Sequence, residues 1–112
     1  MKTKSQIAFT PAAAGVAKLA VVGTIEIAPG RRDQLLPLLM AHRARCLKDE
    51  PGTLLFEVIA PHDDSSKLLL CEVYQDAAAF DLHRNGPSIE QFREDTDGMV
   101  AKLHVTKCAF LE

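Results

Sequence analysis

Apolar and polar residues alternate along Leu19 to Ala28, LAVVGTIEIA. Leu19, Val21, Ile25 and Ile27 fall on one face of a period-two strand, and Ala20, Val22, Thr24 and Glu26 on the other. Pro29-Gly30 ends it. From Arg31 to Glu50 the period changes: Leu35, Leu36, Leu39, Met40, Cys46 and Leu47 recur at helical spacing, which predicts a long helix with one stripe on a core. Pro37 is expected to kink this helix or to keep its regular part downstream; if Asp33 is the N-cap, only the first intrahelical bond is lost. Pro51-Gly52 breaks the helix. TLLFEVIA (53–60) and KLLLCEVYQ (67–75) are rich in β-formers, and the polar turn between them makes an antiparallel hairpin the natural connection. Asp76 is a suitable N-cap for AAAFDLHR, which Asn85-Gly86-Pro87 interrupts. Ser88 and Gln91 form a capping-box signature for a further helical piece with Ile89, Phe92, Met99, Val100 and Leu103 on one face, and His104 to Leu111 reads as a closing strand. The order predicts an α+β fold, the ferredoxin-like βαββαβ arrangement on a four-stranded antiparallel sheet.

Two helices cover only one face of such a sheet, so the other is wet or covered by another chain. One face is predicted to carry Leu54, Phe56, Val58, Leu69, Cys71 and Val73; the opposite one carries Val22, Leu55, Ile59, Leu68, Leu70 and Tyr74, with Glu26, Glu57 and Glu72 among them. Leaving the second set in water forgoes burial worth about 25 cal/mol per Å2, so a homodimer through Leu68, Leu70 and Tyr74 is expected. The three glutamates read as interface ion pairs or cavity-edge carboxylates, with proton handling in a pocket as the sharper alternative.

Composition narrows the function classes. At 112 residues the chain has room for one core, placed at 18–112, with residues 1–17 read as a flexible or partner-crossing arm rather than an export signal. With 47% hydrophobic and 25% charged residues and a net charge of −2, basic residues are dispersed among acidic ones, which argues against nucleic acid as partner. No apolar run reaches the roughly 18 residues of a membrane span. Cys46, Cys71 and Cys108 are odd in number, widely spaced and set in apolar stretches, so they are expected to be buried thiols of a cytoplasmic protein. Metal binding is not expected, because no spacing typical of a ligand set is read.

Three stretches carry a family resemblance. DEPGTLLFEV (49–58) resembles the EPG-x-L-x-[FY]-[ED] signature of the antibiotic-biosynthesis and quinol monooxygenases, LCEVYQD (70–76) resembles their third-strand E-x-[WY]-x-D, and AFDLHRNGPSIEQF (79–92) resembles their A-[FL]-x-x-H-x-x-S-P-H-F-x-x-F helix. His83, Pro87 and Phe92 stand in matching places; Ser88 replaces a common second histidine, and Tyr74 a common tryptophan. Together with Pro29-Gly30 the likeness spans Lys18 to Leu111. It implies a dimeric α/β barrel and oxidation of a small quinol or polyphenol by dioxygen without flavin, metal or haem. The family also includes haem-degrading enzymes and an isomerase of a phosphorylated signal sugar. Haem degradation is disfavoured, since those relatives use a histidine well along the second helix and none occurs between Arg84 and Leu103.

In the oxidation chemistry the deprotonated substrate itself reduces dioxygen, and the protein supplies an apolar pocket and a proton acceptor. Histidine suits that role, with an unperturbed pKa near ~6.5. His83, three residues after Phe80 on one helix face, is the first candidate, and His42, four before Cys46, the second. Tyr74, Phe80, Glu72 and Phe92 are the expected substrate-binding residues. Two alternatives stay open: isomerisation of a small carbonyl compound by paired His42 and His83, and a non-catalytic dimer that binds a small aromatic. His62, Asp63, Asp64 and His104 read as solvated, and nucleophilic catalysis by a cysteine is disfavoured because apolar surroundings raise a thiol's pKa.

Overall fold

The computed structural model describes residues 17–111. Of the expected N-terminal arm over residues 1–17, all but Ala17 lies outside the described residues. The elements are β1 (Leu19–Ile27), α1 (Arg32–Asp49), β2 (Thr53–Ile59), β3 (Lys67–Tyr74), α2 (Ala77–Arg84), α3 (Pro87–Asp95) and β4 (Val100–Ala109). The strands form one antiparallel sheet in the order β2-β3-β1-β4, the ferredoxin-like arrangement with its second helix split in two.

Local chemistry explains most boundaries. Asp76 caps α2, its carboxylate accepting the Ala79 N–H at 2.8 Å. Pro87 opens α3 at its first turn, where the missing N–H is not needed. The expected cap at Ser88 is therefore displaced to Gly86, and Ser88 is buried inside the first turn. Gly98, with φ of 77°, reverses the chain after α3 in a conformation open to glycine. As a result β4 begins at Val100, four residues before the expected start, and Val100 and Leu103 belong to the strand rather than to a helix. The first helix starts at Arg32 after Arg31, so Asp33 lies in the first turn and is not the cap; Pro37 sits within a helix that continues past it.

Pairing register fixes the faces of the sheet and corrects the expected ones. Phe56 pairs with Glu72, Val58 with Leu70, Val21 with Glu72 and Ile25 with Leu68, so all of these, with Tyr74, face the helices. Leu68, Leu70 and Tyr74 are buried beneath them and do not form the predicted dimer face. Both sides of β3 are apolar, so alternation along it does not tell inside from outside, and a one-residue choice flips the whole strand. A register shift between Thr53 and Leu55 accounts for the rest: Leu54 is extra on β2 and is exposed, although it was expected beside Phe56. Of the three glutamates only Glu72 is inward; Glu26 and Glu57 belong to the outer face. That face also carries Val22, Leu55 and Ile59, each more than a third exposed.

The main core joins Leu35, Leu39 and Cys46 of α1 to Ile25, Phe56, Leu68 and Phe92, while Val21, Tyr74 and Phe80 make a smaller cluster. Met40, expected on the buried stripe, is exposed, and His42 is buried in its place.

Candidate active site between helices and sheet

The two histidine candidates come from different helices and meet in the core. His42 and Cys46 are one turn apart on α1 and therefore share its inward face. His83 is near the end of α2, three residues after Phe80, and both are buried. The imidazole centroids are 5.8 Å apart. His42 stacks on Phe92 at 4.7 Å and meets the edge of Phe56 at 5.6 Å, while His83 is 5.3 Å from the Tyr74 ring. Burial, and then the nearby His83, push the His42 pKa down to about 4, so it is a neutral imidazole at pH 7.

Glu50, which stands in the EPG motif, pairs with His83 in the structure. Its Oε1 lies 2.9 Å from His83 Nδ1 and accepts the Thr53 hydroxyl at 2.8 Å. As the C-cap of α1, with its own N–H bonded to the Cys46 carbonyl, Glu50 is held where Pro51-Gly52 turns the chain. The turn can lie against α2 because Gly52 has no side chain: a Cβ there would sit 2.4 Å from the Cβ of Ala79. The closeness of α2 to the turn thus sets the reach of His83 to Glu50.

Between these helices and the sheet is a cavity of about 140 Å3. His42, His83, Glu72, Phe80 and Phe92 line it, among aliphatic groups of both the sheet and the helices, and the exposed Arg84 and Arg93 stand at its edge. Neither arginine has an ion-pair partner among the described residues. Five of the six expected site residues therefore converge on one cavity. Tyr74 is the exception. It is fully buried and does not line the space; its hydroxyl donates to Glu72 Oε1, and its ring meets the edge of Phe80 at 5.2 Å. It supports Glu72 and Phe80 from behind, instead of holding a substrate ring directly. Burial raises the pKa of the Glu72 carboxyl, and the Tyr74 hydroxyl partly counters this; burial likewise raises that of Tyr74.

Two further corrections concern sulfur and metal. Cys46 is buried as expected, but Cys71 and Cys108 are only partly so. The expected lack of a ligand spacing does not hold, since His42 and Cys46 are four residues apart and His83 joins them, with donor atoms all within 4.8 Å of one another. The spacing is visible in the sequence, whereas the approach of His83 is tertiary.

The sequence profile of the antibiotic biosynthesis monooxygenases matches residues 18–95, and the chain belongs to that family. Solved structures agree on the fold. A Pseudomonas aeruginosa protein aligns with a TM-score of 0.78 at 24% identity, covering 86% of this chain and 96% of its own. One from Caulobacter crescentus, named for the same family, aligns with a TM-score of 0.80 at 15% identity over 87% and 92%. Another so named, from Bacteroides thetaiotaomicron, gives 0.78 at 24% over 86% and 91%. No curated protein matches the sequence. No helix among the described residues is long and apolar enough to cross a membrane.

Proposed function

We propose that the protein is a cofactor-independent monooxygenase that oxidises a quinol or polyphenol of a single aromatic ring with dioxygen. The observation that carries this reading is the His83–Glu50 pair on the wall of an apolar cavity of about 140 Å3. An apolar cavity of roughly 150 Å3 takes up benzene, so the space has the size of one aromatic ring. With Nδ1–H donated to Glu50, the neutral His83 tautomer keeps its Nε2 lone pair for a phenolic proton. Arg84 and Arg93 make the edge of the cavity electropositive, which favours a substrate that becomes a phenolate.

The balance needs no further reductant. His83 takes the phenolic proton; the electron-rich ring carbon passes electrons to dioxygen and forms a C–O bond. Cleavage of the O–O bond then expels hydroxide, which recovers the proton as water. One oxygen atom ends in the quinone and the other in water, and the ring carbon loses its hydrogen. Phe92 and Phe80 hold the ring by contact on a mainly apolar wall.

The reading includes a homodimer, with the interface moved from Leu68, Leu70 and Tyr74 to the outer face that carries Val22, Leu55 and Ile59. Support comes from the apolar groups of that face, since Val22, Leu55 and Ile59 are 45%, 39% and 49% exposed. An oxygen electrode with hydroquinones and catechols of one ring, and the same mixtures under nitrogen, tests the chemistry. Oxygen uptake equal to quinone formed supports oxidation. Product formed under nitrogen from a small carbonyl compound supports isomerisation, and binding without turnover supports the non-catalytic alternative.

A further inference from the structure

Cys46 plays no part in the proposed oxidation, yet it is packed between both histidines. Its Sγ lies 3.7 and 3.6 Å from Nδ1 and Nε2 of His42 and 3.7 Å from Nδ1 of His83. Tetrahedral zinc, with bonds of about 2.3 Å to sulfur and 2.05 Å to nitrogen, sets its sulfur and nitrogen ligands roughly 3.6 Å apart. Separations of that size are already present between the sulfur and each imidazole, and the three donors are buried together; Sγ lies over the His42 ring, equidistant from its nitrogens, so that ring turns to aim a lone pair at a shared ion. A fourth donor adjoins them. Glu50 Oε1 is 2.9 Å from His83 Nδ1, while Glu50 Oε2 is buried with no hydrogen-bond partner.

We propose that Cys46, His42, His83 and Glu50 form a site for one thiophilic divalent cation of the zinc class. A thiolate, a carboxylate and two neutral imidazoles carry charge −2, which such a cation balances inside a low-dielectric core. Without a cation the Cys46 thiol stays protonated, because burial and then Glu50 push its pKa up to about 12. A coordinated cation reverses that preference and displaces the thiol proton to solvent. Both histidines line the cavity, which gives an ion a route inward. Coordination through His83 Nδ1 replaces its hydrogen bond to Glu50, so the cation and the proposed general base exclude one another. Zinc is accordingly an inhibitor of the oxidation, a consequence that rests on the proposed function, whereas the binding itself does not.

The test is titration of chelator-treated, reduced wild-type protein with Co2+ under anaerobic conditions. The expected result is a thiolate-to-cobalt charge-transfer band with the intense visible bands of four-coordinate cobalt, saturating at one ion per chain and bleached by Zn2+. Cys46→Ser should abolish the charge-transfer band, and His42→Gln should weaken binding at least tenfold, while a Cys71→Ser/Cys108→Ser variant keeps the full spectrum. A weak six-coordinate spectrum in the wild type overturns the proposal, as does a band that survives in Cys46→Ser or disappears with Cys71 and Cys108. If Cys46→Ser fails to fold by circular dichroism, His42→Gln and the Cys71/Cys108 variant decide. The spectrum is read whether or not any quinol is oxidised, so failure of the metal site and failure of the oxidase reading are separate results.

Discussion

Tyr74→Phe isolates one atom in the polar wall of the cavity. Tyr74 is fully buried, and its hydroxyl donates to Glu72, itself 6% exposed. Removing the hydroxyl leaves ring packing intact and takes from Glu72 the one side-chain donor it has among the described residues. A hydrogen bond to a buried charged group contributes about 1.5–3 kcal/mol. For a domain of this size, each kcal/mol shifts Tm by roughly 4–8 °C. A loss of about 2 kcal/mol is therefore a fall of some ~8–16 °C at pH 7.5. The pH dependence follows from the direction of the Glu72 shift. Its carboxyl has a folded pKa above 4.5, so the folded state binds the proton more tightly than the unfolded chain, and stability declines as pH rises from 4.5 through the folded value. The Tyr74 hydroxyl limits that decline by stabilising the carboxylate. Tyr74→Phe raises the folded pKa further, so its penalty should grow from pH 5 to pH 7.5. Urea denaturation of wild type, Tyr74→Phe, Glu72→Gln and the double variant measures this as a coupling energy. A penalty equal at both pH values, or unchanged when Glu72 is already glutamine, would refute the reasoning.

Gly52→Ala should lower stability by about 1–3 kcal/mol, since its Cβ would meet that of Ala79, which is fixed to the backbone of α2. Because α2 must retreat, His83 should also lose Glu50, visible as a changed NMR chemical shift of the His83 ring. Val22→Lys on the outer sheet face should convert the expected dimer to monomer in sedimentation at micromolar concentration, whereas Leu82→Lys, on a residue 74% exposed on α2, should not. Filling the cavity with Ile89→Trp should weaken binding of a one-ring phenol at least tenfold in calorimetry, with little change in secondary structure.

The elements were legible wherever two signals agreed. Pro29-Gly30, Pro51-Gly52 and Asp76 each coincide with a change of hydrophobic period, and the structure puts its boundaries there. The fold followed from their order. The face of β3 was not legible, because Leu68 and Leu70 are as apolar as Leu69, Cys71 and Val73, and a sheet apolar on both sides carries no inside-outside signal. Leu54 misled for a related reason, since an extra residue in a strand leaves no mark in composition. At the site, His83 and Phe80 were readable from their i, i+3 spacing. Glu50 was not: its meeting with His83 spans 33 residues and depends on Gly52 admitting α2. Residues that share a helix face reveal themselves in sequence, whereas a pair made by helix docking emerges only with the docking.

In the proposed function His83, held by Glu50, removes the proton that starts oxidation in the cavity. The most direct test of this step is the initial rate of oxygen uptake with a one-ring hydroquinone by wild type and His83→Ala, at matched fold and oligomeric state and with chelator present. Measurable wild-type turnover and a fall of roughly a hundredfold to ten-thousandfold in the variant are expected. Equal rates in the two proteins would contradict it, and so would a wild type that turns over none of the one-ring quinols it binds.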